Sequence, residues 1–181
     1  MVDRIRRSDL ELYGASIHIG YEVTQFHFTV ERLAMNIDDR IDPRLHNSVL
    51  TAYLVFGRNL LKFFYDSKPF QDDVLAEDYY DDTSFWASVR PTPPFDFLKI
   101  LKLSNKHALH LSYERVEVGE LTWWNWSLLH PVIFRTLTEF RKTVPVHRLT
   151  PSVFETYDQM QVLADHFVRN SPSWQPNDVS P

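Results

Sequence analysis

Residues 43 to 65, PRLHNSVLTAYLVFGRNLLKFFY, limit the fold more than any other stretch. Wound as a helix, Leu45, Val49, Ala52, Tyr53, Phe56, Leu60 and Phe63 form one stripe, and Leu50, Leu54 and Leu61 add apolar surface elsewhere. Only a narrow strip holding Thr51, Arg58 and Lys62 stays polar. A helix apolar over most of its girth must be covered on several sides, so this segment predicts the centre of a bundle or an oligomer contact. Its start is marked as well: Asp42 suits the N-cap and Pro43 the first helical position.

The flanking segments read the same way. Ile19, Val23, Phe26, Val30 and Leu33 share one face of a helix over about Leu10 to Asn36. A third helix runs from near Pro94 to about Arg115. Another lies in LTWWNWSLLHPVIFRTLTEFRKTV, with Pro131 in a first turn or at a kink. The last begins at Thr150 and Pro151 and ends near Arg169. Between the second and third, DSKPFQDDVLAEDYYDDTSFWASVRPTPP is a long, acidic, aromatic connection. A short helix is expected there from Asp72 to Tyr80, capped by Asp72 or Asp73. A connection of this length is more often a crossover or functional loop than slack.

Only 4 glycines are present, too few for a hairpin-rich β fold, and no segment alternates as a strand between turns. The fold class is all-α, a helical bundle with one long crossover connection. Residues 1–170 are expected to form a single helical domain, with a disordered tail at 171–181. With no cysteine, disulfides and thiolate metal sites are excluded. No window approaches the ~18 apolar residues of a membrane span, so a cytoplasmic chain without membrane contact is expected. No cofactor is expected. A net charge of −5 weighs against binding a polyanion through global charge, but not against a local basic face.

The segment LKLSNKHALHLSYERV holds the densest chemistry. On a helix, Phe97, Ile100, Leu101, Ala108 and Leu111 gather on one side, and Lys99, Lys102, Lys106, His110 and Tyr113 on the other. His107 and Glu114 lie at the margin. Such a row is commonly a solvated face. His107, His110 and Glu114 also follow i, i+3, i+7 spacing, which can converge on a metal ion, although the lysines would repel one. As a nucleic-acid face, Lys99, Lys102, Lys106 and Tyr113 would hold RNA while His110 exchanged a proton with a ribose hydroxyl. Trp123, Trp124 and Trp126 cannot all face one side of a helix, which leaves one for an interface or a base.

The pieces GRNLLKFFYD, DDVLAEDYYDD, SFW and LSNKHALHLSYERV together resemble a group of small bacterial proteins over about residues 45 to 145. NKHALH in turn is similar to the motif helix of HEPN domains. That resemblance implies an α-helical bundle, often dimeric, from toxin–antitoxin or phage-defence systems. Many HEPN domains are metal-independent ribonucleases built on an arginine followed, after four to six residues, by a histidine. Here Leu103, Ser104 and Asn105 stand where His110 would require that arginine, and Lys102 is the nearest substitute for His107. Arg40 to His46 and Arg141 to His147 match the spacing, but each includes a proline. Composition alone yields about two such matches.

Arg58 with Asn59 can supply the missing cation from a neighbouring helix. The resemblance thus implies a HEPN-like interaction module, RNA-facing or protein-binding, and a homodimer through the central helix. The alternative is an endoribonuclease using His110, Lys106 and Arg58; a metal-binding helical protein is the third reading. The simpler expectation for Arg58 is an ion pair with Asp72 or Asp73, since a mostly buried arginine needs an anion.

Overall fold

A computed structural model of the chain describes residues 6–35, 42–66, 69–92 and 126–170. Among them are five α-helices, two 3-10 turns and no strand, so the protein is an all-α bundle. The helices are α1 (Asp9–Met35), α2 (Pro43–Tyr65), α3 (Thr83–Val89), α4 (Trp126–Thr143) and α5 (Pro151–Asn170). The helix expected at 94–115 and the tail at 171–181 lie outside the described residues.

Local chemistry sets the helix starts. Ser8 and Glu11 form a capping box on α1: the Glu11 amide donates to Ser8 Oγ at 3.3 Å, and the Ser8 amide donates to Glu11 Oε2 at 2.8 Å. Asp42 caps α2 by accepting from the Arg44 amide at 2.9 Å, with Pro43 behind it. Pro131 is the sixth residue of α4, past its first turn, where it removes one helical donor.

All five apolar positions expected to face inward on α1 are buried, together with Leu12. They pack on α2, whose Tyr53, Leu54, Leu60, Leu61, Phe63 and Phe64 are buried in turn. Two helical glycines allow the close crossings. A Cβ on Gly57 would stand 2.7 Å from Leu129 Cδ2 and 3.2 Å from the Phe26 ring. A Cβ on Gly20 would stand 2.6 Å from Ser152 Oγ. The α1–α5 seam around Gly20 is lined by hydroxyls that satisfy one another: Ser16 with Thr150 at 3.2 Å and Thr24 with Thr156 at 2.8 Å. Of the large apolar side chains of α2, Leu45 alone is exposed.

The long connection differs from expectation in a specific way. Instead of one helix at 72–80 there is a 3-10 turn at Ala76–Tyr79, followed by the separate helix α3. The acidic residues explain the break, because each ends or starts a turn. Asp73 accepts from the Phe70 amide, Asp78 from the Leu75 amide and Asp82 from the Ser84 amide, at 2.8, 2.8 and 2.9 Å. Between these caps the aromatic residues point inward. Tyr79, Tyr80 and Trp86 join Phe63, Phe64 and Phe140 in one cluster. Their polar ends are satisfied: Trp86 Nε1 donates to the Phe64 carbonyl at 2.9 Å, and the Tyr79 hydroxyl to the Leu12 carbonyl at 2.9 Å.

Arg148, in the 3-10 turn Val146–Arg148, latches two distant pieces of chain, the start of α1 and the long connection. Its Nε donates to Asp9 Oδ1 at 2.6 Å, Nη1 to the Tyr79 carbonyl at 2.8 Å and Nη2 to Asp81 Oδ1 at 2.7 Å. The guanidinium holds both aspartates below the usual carboxylate range. Arg148→Met keeps the stem but strands the buried Tyr79 carbonyl. It is expected to cost about 2–3 kcal/mol, read as a lower urea midpoint with an unchanged slope. A shift within error would show that the latch is redundant.

Candidate functional site

The functional positions expected at Lys99, Lys102, Lys106, His110 and Tyr113 lie outside the described residues, as do His107 and Glu114. Arg58 is described, and its surroundings define the candidate site on the seam between α1 and α2.

Arg58 follows Gly57, the point where Leu129 presses onto α2. Its side chain is half-buried in the polar strip expected for this helix. It does not pair with Asp72 or Asp73. Lys62 takes Asp73 instead, at 3.6 Å, and Asp66 at 3.4 Å. The reason is position: Lys62 is one helical turn nearer the connection than Arg58. Arg58 turns the other way, toward α1. Nη1 donates to Asn59 Oδ1 at 3.2 Å, and Asn59 Nδ2 reaches both carboxylate oxygens of Glu22 at 3.2 Å.

This arrangement is chemically unusual. An arginine and a glutamate near one another on adjoining helices normally close into a bidentate pair. Here the Asn59 amide bonds to both and stands between them, its oxygen toward the guanidinium and its nitrogen toward the carboxylate. Two consequences follow. Glu22, without a direct cation contact among the described residues, has its proton affinity raised by burial, partly offset by Asn59 and His18. Arg58, without a carboxylate among the described residues, keeps most of its five donors uncommitted, and its Nε is buried without a partner there. A planar fork whose donors are mostly uncommitted among the described residues is suited to an oxyanion.

Glu22 carried a signal that helical spacing could have revealed. It lies three residues after Ile19 and four before Phe26, both core positions, so it sits at the edge of the buried face. A carboxylate there requires a partner from the facing helix.

A second polar group lies deeper. His130 of α4 is buried between the rings of Phe26 and Phe134, nearly parallel to both, with centroids 6.2 and 6.1 Å away. Its backbone is hydrogen-bonded to the Tyr53 hydroxyl. His27 Nε2 lies 3.6 Å from Glu31 Oε1, while Nδ1 is buried without a partner among the described residues. Burial lowers the proton affinity of both imidazoles, and for His130 the charge of His27 adds to it. Both are core histidines by their surroundings. Among the described residues no group of three or more His, Asp or Glu converges as a metal site, and no helix is long and apolar enough to cross a membrane.

Comparison with known protein families, curated proteins and solved structures finds no match to this chain.

Proposed function

We propose that this protein is a HEPN-like helical interaction module that binds RNA through phosphate contacts centred on Arg58. The observation that carries this reading is the guanidinium, mostly uncommitted among the described residues, which Asn59 separates from Glu22. A phosphodiester oxygen pair is the complement of that fork, and the match is specific to arginine rather than lysine. The lysine row at 99, 102 and 106, with Tyr113, would extend the same contact along a strand. The resemblance to HEPN domains supplies the setting, a defence or toxin–antitoxin system.

The test is fluorescence anisotropy with a labelled single-stranded RNA in EDTA, titrated at several salt concentrations. Arg58→Ala is expected to weaken binding about tenfold and to lower the salt slope by about one unit. Arg58→Lys should restore the slope but not the affinity, since it keeps charge and loses the fork. Wild-type affinity in Arg58→Ala would refute the site, and no binding by the wild type would refute the function.

The uncommitted fork equally suits a scissile phosphate, which favours the endoribonuclease as second reading: Arg58 and Lys106 steady the phosphate and His110 moves the proton. RNA cleavage in EDTA that is lost in His110→Ala would shift the conclusion to that reading.

A further inference from the structure

α1 has two apolar faces, and the described residues bury one. The buried row runs through Leu12, Ile19, Val23, Phe26, Val30 and Leu33. A second row, Leu10, Tyr13, Ile17, Tyr21 and Phe28, stands 80, 40, 57, 55 and 45% exposed. At helical spacing the five lie within an arc of about 80°, mostly turned from the core, with the Tyr21 ring meeting Phe56 of α2 edge-on at 6.1 Å. Exposed leucine, isoleucine and aromatic residues are ordinary singly, but five on one arc of a helix form an interaction surface, here edged by the Arg32 guanidinium 4.9 Å over the Phe28 ring.

From this row we infer that α1 is the self-association surface of the protein, packing antiparallel on α1 of a second copy. The order of residues argues for a second copy over an unrelated partner. Leu10 and Phe28 are equally far from position 19, and so are Ile17 and Tyr21. A two-fold axis at that level sets Leu10 against Phe28 of the partner subunit, and Ile17 against Tyr21 of the partner subunit. Each contact then joins an aliphatic side chain to an aromatic ring, and each occurs twice, as an isologous interface requires. Gly14, beside the row between Leu10 and Ile17, has open space where a Cβ would stand, which gives the partner's rings room.

The area is consistent with a modest dimer. Three aromatic and two aliphatic side chains at these exposures present on the order of 500 Å² per copy. Two copies together bury about 1,000 Å², the lower end of the range for specific interfaces. The inference does not depend on the RNA-binding proposal.

Sedimentation velocity of the full chain over a concentration series tests the inference. The wild type is expected to dimerise, and Ile17→Glu to weaken association at least tenfold. Ile17 is solvent-facing, so the helical circular dichroism and dilute-solution melting of that variant should stay unchanged. The register is tested separately, because the chain has no cysteine of its own. Ile17→Cys mixed with Tyr21→Cys should give a disulfide-linked heterodimer under mild oxidation, whereas neither variant alone should cross-link. A monomeric wild type overturns the inference, whether the row stays bare or another segment of the chain covers it. So does a dimer that survives Ile17→Glu, or efficient cross-linking of Ile17→Cys with itself, which would mean a parallel pair.

Discussion

Truncating Phe140 to alanine is expected to cost about 3–5 kcal/mol of folding stability. Phe140 sits at the middle of the aromatic cluster, with ring centroids of Phe63, Trp86, Tyr79, Phe64 and Tyr80 at 5.3, 5.6, 5.7, 5.9 and 6.2 Å. Most of these rings meet it edge-to-face, the arrangement favoured by the ring quadrupole, so the loss exceeds simple area burial. The surrounding rings come from α2, the long connection and α3. They cannot collapse together into the vacated space without breaking hydrogen bonds such as Trp86 Nε1 to the Phe64 carbonyl. The measurement is urea unfolding followed by near-ultraviolet circular dichroism, where aromatic packing reports directly. A loss under about 1 kcal/mol would mean the cluster repacks freely, contrary to a close-packed core.

The second large effect is one of pH. The proton affinity of His130 falls to about 4 from an ordinary 6.5, mainly through burial and then through the charge of His27. The unfolded chain therefore binds a proton that the folded chain refuses. The stability is fully present above about pH 6.5 and is lost as pH falls toward 4, by about 3 kcal/mol in total. His130→Phe replaces the imidazole with a ring that fits between Phe26 and Phe134 and cannot titrate. The difference in unfolding free energy between wild type and His130→Phe should fall by that amount between pH 7 and 4. Parallel curves over this range would show that the imidazole is not held neutral.

Sequence reasoning located the helices well where periodicity was unambiguous. Asp42 and Pro43 predicted the start of α2, and the face from Ile19 to Leu33 is the buried face of α1. Both signals are local, since one turn of helix contains the cause. The long connection was misread because its acidic residues look like one N-cap followed by a helix. In the fold Asp73 closes one turn, Asp78 caps the start of the 3-10 turn and Asp82 the start of α3, and burial of Tyr79, Tyr80 and Trp86 decides where these fall. That decision is tertiary and leaves no period in the sequence. The Arg58 site was half legible. The polar strip announced the arginine, but the expected partner was taken from the nearest acidic run. The actual neighbour comes from Glu22, 37 positions from Asn59 along the chain. The second apolar row of α1 was legible in principle. It was hidden because the residues at 19, 23, 26, 30 and 33 already satisfied a single-face reading.

The segment between α2 and α4 has little regular structure in its described part, a four-residue 3-10 turn and a seven-residue helix. By that measure it resembles a tether. Yet Ala76, Tyr79, Tyr80 and Trp86 are buried in the main cluster. Letting this segment go would carry three aromatic rings into water and open the ends of α2 and α4 with them. Local opening of residues 69–92 is therefore expected to cost about as much as unfolding the bundle around them, so their amides should exchange with those of the core. Protection there should follow where the rings are seated, not where the helices end.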